Sequence, residues 1–448
     1  MQNKIDLTCG DLRKKLIIFS FPIFLSLLLK TFYELIDMLV VGWYVGSNGV
    51  ASISNVTSLW WLVGAIGTGF SSAAAILISQ YEGLKDKEKQ FETINALGFI
   101  IFVSSVIISV ITALFYRNIL LFLNVPPEAI EYAKDYLRIL SFGWIFNFSF
   151  ISISYVIRGF GNSVYPFILM GVCAGLNLVF DLIFVGICDM GPAGAAISTV
   201  VVNFLSFSLS FFVLKKFYLR SFKFNIFKIK ISSIKPFFKL AVPLMAQLIV
   251  VDFSYVLITK MANSYGIIIA STLGIGMQVH NLIALPSRAL SRALTVGAGQ
   301  NFGANKIENA KKVLHIGLYL SIIVTTFLAI VFNIFSRAII SLFDTNPDVI
   351  LQSQLYMLYC CSLDCVLYAI RNVYNHFASG LGDTKFSCIN SLVGPVFLRV
   401  FLCYILSRNF NLGFLGVCIG ITASSILPVI TGFVHFKFSN WWEKKQYN

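Results

Sequence analysis

The chain has 448 residues, of which 57% are hydrophobic and 12% are charged, and its mean hydropathy is +0.82. These values exclude an ordinary soluble domain and indicate a polytopic membrane protein. The net charge of +14 does not indicate nucleic-acid binding, because the basic residues are gathered in particular loops between hydrophobic runs.

Twelve hydrophobic runs, each of roughly 20 residues or more, recur along the chain. At about 1.5 Å per residue, a helix of this length crosses a hydrocarbon core about 30 Å thick, and a helix also satisfies its own backbone groups in lipid. The sequence therefore predicts an all-α integral membrane protein with twelve transmembrane helices. The cores of the runs lie near 16–41, 51–80, 97–122, 136–157, 165–188, 192–214, 237–259, 267–298, 313–335, 349–370, 386–407 and 413–436.

The distribution of basic residues predicts the orientation of the chain. Arg13, Lys14 and Lys15 precede the first run, and eight lysines and arginines lie in the segment 215–239 between the sixth and seventh runs. By the positive-inside rule, both termini and this central segment are predicted to lie in the cytoplasm. The basic loops favour an anionic lipid surface as a partner, and the central segment is either an amphipathic interfacial stretch or a solvated linker.

Landmarks of the first half recur in the second half at separations of 220 to 222 residues. Each half contains six runs, so both halves enter the membrane from the same side and the repeat is parallel. We therefore predict two six-helix lobes, residues 1–222 and 223–448, with a central cavity between them. The matched landmarks are Pro22 with Pro243, Gln80 with Gln300, Tyr136 with Tyr356, RGFGNS from Arg158 with SGLGDT from Ser379, and Gly191 with Gly413.

The first run contains three ionisable residues, Lys30, Glu34 and Asp37, although charge is costly inside a membrane. Their spacings of three and four put them on one helical face. Either Lys30 and Glu34 neutralise each other, or a carboxylate exchanges a proton or Na⁺ during a transport cycle. Pairing is favoured for Glu34 and ion exchange for Asp37, because Lys30 is two turns away from Asp37.

The fifth run carries a second polar pair, Asn177 and Asp181, four residues apart. A carboxylate and an amide carbonyl are hard oxygen ligands suited to a small cation. An Asn-to-Asp hydrogen bond that holds helices together is an equally good interpretation. Thr199 in the sixth run does not by itself indicate an ion site, since threonine commonly hydrogen-bonds to its own backbone in membrane helices.

The second half carries several polar residues within its runs. Arginines there either line a cavity that receives anionic groups or form structural pairs, for instance with Asp252, and the structural interpretation is favoured. These candidate cavity residues are Gln247 and Asp252 in the seventh run, Gln278, Arg288 and Arg292 in the eighth, and Arg399 in the eleventh, together with Glu34 of the first half.

No Walker A, GxSxG or HExxH pattern is present, and the four histidines do not show metal-ligand spacing. We therefore expect neither an enzyme nor a resident cofactor. Any driving force for transport is expected to come from an ion gradient.

Several motifs resemble the multidrug and toxic-compound extrusion (MATE) family. Pro22 early in the first run is followed by YELID, with Asp37, and then by Val41 and Gly42. The repeated SQ or GQ before a glycine-containing turn, the RGxG loop at 158–161 and the GxxGxA opening of the sixth run are also similar to that family. The likeness covers nearly the whole chain.

This resemblance implies a fold and a function. The fold is a V-shaped pair of six-helix bundles in the inner (plasma) membrane of a prokaryote. The function is antiport, in which amphipathic and often cationic small molecules leave the cell in exchange for H⁺ or Na⁺. We expect a monomer, since a two-lobed chain with an internal cavity needs no partner.

The archaeal and DinF-like members of the family imply a cation site in the first lobe. Their first-span aspartate matches Asp37, their Asn and Asp in the fifth span match Asn177 and Asp181, and their sixth-span threonine matches Thr199. A further polar position of the fourth span, often Asn, is Ser154 here. The resemblance thus implies that this set binds a proton or Na⁺.

The sequence departs from the family at four positions where it carries a charge that the family does not usually have: Lys30, Glu34, Arg288 and Arg292. An anionic or zwitterionic substrate would fit these charges better than a cationic one. One alternative is a lipid-linked oligosaccharide flippase of the same superfamily, whose cavity arginines would hold a pyrophosphate. Another alternative, from a different class, is a non-transporting membrane scaffold or receptor. In that case, replacing the carboxylates would have no effect on function.

Overall fold

The computed structural model describes residues 4–123, 125, 130–219 and 231–439, and the side chains of 47, 48, 51, 55, 58, 122 and 231–233 are not described. The central part of the segment 215–239 and the sequence-predicted lobe boundary at 222/223 lie outside the described residues. That boundary stays a prediction.

Twelve described helices are long and apolar enough to cross a membrane, which confirms the predicted all-α architecture. Most of them are 26 to 38 residues long. The first six are α1 (Leu12–Val45), α2 (Ser47–Leu84), α3 (Lys87–Phe122), α4 (Ile130–Gly159), α5 (Val164–Ile187) and α6 (Gly191–Phe217). The second six are α7 (Ile231–Asn263), α8 (Ile267–Gly303), α9 (Ile307–Ile334), α10 (Pro347–Gly380), α11 (Thr384–Asn409) and α12 (Gly413–Phe438), with a short helix Ser336–Ser341 before α10.

The backbone itself repeats the internal symmetry that the sequence predicts. Apart from Gly10, the described residues with positive φ fall in pairs at the ends of equivalent helices, and the two members of each pair have similar angles. Lys85 (φ 61°) and Asn305 (φ 57°), for example, end α2 and α8 in the left-handed region. The other pairs are Gly46 with Gly266, Gly161 with Gly382, Asp189 with Asn411, and Gly191 with Gly413.

Turns of π-helix explain why the spacing of the repeat grows from 220 residues at Tyr136 and Tyr356 to 222 residues at Gly191 and Gly413. A π turn closes i→i+5 hydrogen bonds and so holds one residue more than an α turn. α10 contains the π segment Tyr359–Leu363, whereas α4 is α-helical throughout. α5 contains one π segment, Leu182–Ile187, whereas α11 contains two, Val393–Leu398 and Ile405–Asn409. Each extra π turn therefore adds one residue to the second half.

The helices form two compact units. The first unit contains residues 25–245 and the N-terminal residues through Asp6, and the second contains residues 7–24 and those from 246 onward. The division thus passes through α1 and α7, two residues after Pro22 and two residues after Pro243. A proline inside a helix leaves one carbonyl without its amide partner and permits a bend at that point.

Each unit has its own apolar core. The core of the first unit contains Val40 and Val41 of α1 with Tyr136 and Leu137 of α4. The core of the second unit contains Val279 of α8 and Tyr356 of α10, together with residues of α12. Polar side chains buried next to these cores therefore need partners, and they mark the places where a functional site can form.

Candidate functional site

Three polar side chains of the first unit meet at one buried point. Asp37 on α1 is 8% exposed, and Asn177 and Asp181 on α5 are fully buried. The carboxyl groups of Asp37 and Asp181 lie within hydrogen-bonding reach of each other. Two carboxylates this close repel each other when both are ionised, so the arrangement favours a proton or a cation at this point.

The amide of Asn177 links the two carboxyl groups. Amide orientation is assigned from the hydrogen bonds that it satisfies, and when both acids are ionised the nitrogen is assigned toward them. Nδ2 of Asn177 donates to Oδ1 of Asp37 at 2.6 Å and to Oδ2 of Asp181 at 3.2 Å, while its Oδ1 accepts from Oγ of Ser198 at 3.1 Å. In the opposite orientation, Nδ2 donates to Oγ of Ser198 at 3.1 Å and the amide oxygen faces the two carboxyl groups, which suits a protonated acid or a bound cation. Oδ1 of Asp181 is buried without a hydrogen-bond partner among the described residues.

The local structure explains how these side chains come together. Asn177 and Asp181 are one helical turn apart, at the end of the α-helical part of α5. The π segment Leu182–Ile187 begins directly after Asp181. π turns occur frequently at functional sites, because they change the direction in which neighbouring side chains point.

The other two residues predicted for the ion site, Thr199 and Ser154, have no hydrogen bond to either carboxylate among the described residues. The hydroxyl of Tyr33, one turn before Asp37 on α1, donates to Oγ1 of Thr199 at 3.4 Å. Ser154 on α4 is 7% exposed, and no hydrogen bond joins it to the acids in the described part of the chain. The assignment of all five residues to an ion site stays a prediction.

Lys30 and Glu34 form the pair that their spacing predicts. Nζ of Lys30 lies 3.5 Å from Oε1 of Glu34, and the lysine side chain is 59% exposed. The ammonium group also lies over the ring of Trp61, 5.6 Å from its centroid. Glu34 therefore has a partner outside the buried acidic cluster.

The second unit contains a different buried polar cluster, in which one acid has several partners. Nε2 of His280 on α8 lies 3.3 Å from Oδ2 of Asp364 on α10, and Oγ of Ser425 on α12 donates to Oδ1 of Asp364 at 2.5 Å. Asp364 is 3% exposed and His280 is 7% exposed. Asp364 follows the π segment Tyr359–Leu363 directly, as Asp181 directly precedes a π segment in the first unit.

Three arginines lie around two tyrosines in the same unit. The Nε of Arg288 donates to the hydroxyl of Tyr368 at 2.9 Å. The guanidinium of Arg371 lies 4.9 Å from the centroid of the Tyr368 ring, and that of Arg399 lies 4.9 Å from the centroid of Tyr255. We call Arg288, Arg371 and Arg399 the arginine cluster.

The remaining predicted cavity residues are dispersed. Asp252 is exposed and close enough to Arg288 for their charges to attract, whereas Gln278 is exposed on α8. Arg292 lies beside His376. The Oε1 of Gln247 is buried without a hydrogen-bond partner among the described residues.

The sequence analysis did not identify Asp364, Arg371, Tyr255 or Tyr368 as site residues. Asp364 and Arg371 lie seven residues apart, in and directly after the tenth run. Their spacing puts them on one face of a helix, and the sequence analysis could have used this signal. The two tyrosines have no such signal, because membrane helices contain many aromatic residues with no role beyond packing.

The chain matches known proteins over nearly its whole length. It is 26% identical over 438 residues to "Probable multidrug resistance protein YoeA" of Bacillus subtilis, covering 96% of this chain and 94% of that protein. It is 24% identical over 445 residues to "Probable multidrug resistance protein NorM" of Thermotoga maritima, covering 97% and 94%. A crystal structure of a MOP superfamily transporter from Pyrococcus furiosus, reported to have a binding pocket of reverse polarity, superposes with a TM-score of 0.89 at 19% identity, covering 96% of both chains.

The fold is therefore that of a multi-pass membrane transporter. The MatE family model matches twice, at residues 22–183 and at residues 243–405, and the chain belongs to this family. The two matches begin at the prolines of α1 and α7 and confirm the internal repeat. The family consists of transporters, which confirms the interpretation that the protein is not an enzyme.

Proposed function

We propose that this protein is a cation-coupled efflux antiporter that exports amphipathic organic compounds by alternating access. The buried Asp37–Asn177–Asp181 cluster carries this proposal, because it places two acids at one site in a membrane unit. Intramembrane carboxylates are expensive and mark proton or ion pathways. The multidrug relatives support a drug-like, small-molecule substrate.

The coupling step is exchange of an ion at this cluster. Binding of H⁺ or Na⁺ neutralises the charge shared by Asp37 and Asp181, and release restores it, so that occupied and empty forms favour different conformations. One monovalent ion that enters across 100 mV supplies about 2.3 kcal/mol, enough for roughly a fiftyfold gradient of a neutral substrate. The protein then needs no ATP.

We choose the proton over Na⁺ as the coupling ion because the carboxyl groups of Asp37 and Asp181 lie within hydrogen-bonding reach of each other, and two such groups can share one proton. The amide of Asn177 suits either state of the pair. Its nitrogen can face ionised carboxylates, and its oxygen can accept from a protonated one when the amide turns over.

We also place the protein in the plasma membrane as a monomer with both termini in the cytoplasm. The basic residues that precede α1 and that follow α6 support this orientation.

Efflux of ethidium from liposomes containing the purified protein tests the proposal. The dye is loaded inside, and a proton or Na⁺ gradient is imposed separately. We expect efflux driven by the proton gradient in the wild type and no gradient-driven efflux with Asp37→Asn.

The matched control is Asp135→Asn, since Asp135 is an exposed aspartate on α4 of the same unit. This variant should export ethidium at the wild-type rate. Efflux that survives Asp37→Asn would overturn coupling at this cluster, and efflux driven only by Na⁺ would overturn the choice of the proton.

A further inference from the structure

The second unit buries more positive than negative charge. Arg371 and Arg399 are 4% and 1% exposed, and Arg288 is partly buried beside them. The buried acid nearby is Asp364, which His280 and Ser425 already contact. The guanidinium groups of Arg371 and Arg399 lie close enough for their like charges to repel. Asp364 and the exposed Asp252, whose charge attracts Arg288, supply two carboxylates for three arginines.

Several arginine nitrogens also lack hydrogen-bond acceptors. The Nε and Nη1 atoms of both Arg371 and Arg399 are buried with no hydrogen-bond partner among the described residues. A buried donor without a partner is costly, and more so when it is charged, so such groups are rare and call for an acceptor. The two side chains therefore offer a set of unused donors in one place.

The surroundings of these donors suit an oxyanion. A guanidinium presents paired N–H donors that match carboxylate and phosphate groups. The rings of Tyr255 and Tyr368 hold Arg399 and Arg371 by cation–π contacts, which fixes their position and leaves their in-plane donors available. The π segment Val393–Leu398 ends directly before Arg399 and sets the direction of its side chain.

We propose that Arg288, Arg371 and Arg399 form a binding site for the carboxylate or phosphate group of an amphipathic molecule. The inference rests on the proposed function and makes it more specific, since it assigns an anionic group to molecules that the antiporter recognises. Two sources carry this chemistry: a transported organic anion and the headgroup of an anionic phospholipid.

Binding of carboxyfluorescein to the purified protein in nanodiscs tests the site. Fluorescence anisotropy is measured in pure phosphatidylcholine, with wild type, Arg371→Gln, Arg399→Gln and Arg408→Gln. Arg408 is a matched control, because it lies on α11 like Arg399 and over a tyrosine ring, but is exposed. We expect each of the two cluster variants to weaken binding about tenfold or more, and Arg408→Gln to leave it unchanged.

A second arm distinguishes the two sources of the anion. The melting temperature is measured in phosphatidylcholine nanodiscs with and without phosphatidylglycerol. Stabilisation by phosphatidylglycerol that Arg371→Gln and Arg399→Gln remove, without carboxyfluorescein binding, assigns the site to a lipid headgroup. Arginine-dependent carboxyfluorescein binding assigns it to a transported anion. If neither ligand gives an effect that depends on these arginines, the inference is wrong.

A comparison of two dyes on the wild-type protein tests the inference even if the arginine variants fail to fold. Rhodamine 123 has a similar ring system but carries a positive charge, and the wild type should bind carboxyfluorescein in preference to it at equal concentration. Equal or stronger binding of the cation would overturn the inference.

Ethidium efflux separates this inference from the proposed function. Ethidium efflux without arginine-dependent anion binding would refute the anion site alone. Anion binding without any gradient-driven transport would refute antiport alone.

Discussion

The two halves of the chain share one backbone plan but bury opposite charge. Asn177 of the first half corresponds to Arg399 of the second half, 222 positions later. The offset is 222 here because the extra π segment of α11, Val393–Leu398, precedes Arg399 and adds one residue to the earlier offset of 221. Asp37 lies between landmarks that are 221 and 220 positions apart and so matches Ile258 or Leu257, of which Ile258 is buried as Asp37 is. Asp181 corresponds to Cys403. The half with two acids thus has a counterpart with one arginine and no acid at these positions.

This difference shows which parts of the molecule the fold determines and which parts the side chains determine. The helix ends, left-handed residues and cores recur in both halves. The buried polar chemistry does not recur. A repeated fold therefore supplies the same helix framework twice, and the proposed ion site and the proposed anion site would be separate uses of it.

The strongest test of this comparison is to remove both acids of the first half. We expect Asp181→Asn to reduce gradient-driven ethidium efflux to the level of protein-free liposomes, as Asp37→Asn does. The double variant should be no worse than either single variant, because the two carboxyls act as one unit. Residual efflux in one single variant that disappears only in the double variant would show that the acids act independently.

A second test moves an acid to the equivalent place in the other half. Ile258 is 1% exposed in the core of the second unit, so Ile258→Asp buries a carboxylate without partners and should cost about 3 kcal/mol or more. We expect a large drop in melting temperature and no rescue of efflux when the change is added to Asp37→Asn. Ile258→Val is the control and should cost about 1 kcal/mol. Rescued efflux would mean that the halves are interchangeable.

A third test concerns packing that only the second half uses. A Cβ at Gly276 of α8 would lie 2.2 Å from the ring of Tyr356, whereas the equivalent position of the first half is Val56. Gly276→Ala should therefore destabilise the protein by about 1–3 kcal/mol. Gly274→Ala on the same helix meets no atom within 4 Å and should be neutral or slightly stabilising. Thermal melts of both variants decide this, and equal melting temperatures would contradict the packing argument.

The smallest expected effect is at the exposed pair of α1. Lys30→Gln removes an ion pair with a 3.5 Å separation and an exposed lysine, so the stability change should stay below about 1 kcal/mol. Ethidium efflux should remain within about twofold of wild type, since the contacts of Lys30 in the described residues are with Glu34 and Trp61 and not with Asp37 or Asp181. Lys134→Gln, which removes another surface ion pair, is the control. Loss of efflux with Lys30→Gln alone would bring Lys30 and Glu34 into the transport mechanism.

The sequence was sufficient for the architecture because length and hydropathy decide how many helices cross a bilayer. Spacing also predicted that Lys30 contacts Glu34 and that Asn177 and Asp181 share a face. It did not predict the arginine cluster, since Arg288, Arg371 and Arg399 come from three helices far apart in the chain. Nor did it predict the π segments, because an added residue in an apolar helix leaves the composition unchanged.

Those π segments have a consequence for how a duplicated gene diverges. One residue inserted into an α-helix turns every later side chain by about 100°, which would rotate a membrane helix out of its packing. A π turn confines the insertion to one widened turn, so that Gly413 still matches Gly191 in backbone angle. A single added codon can therefore change the direction of one side chain while the rest of the helix keeps its earlier packing contacts.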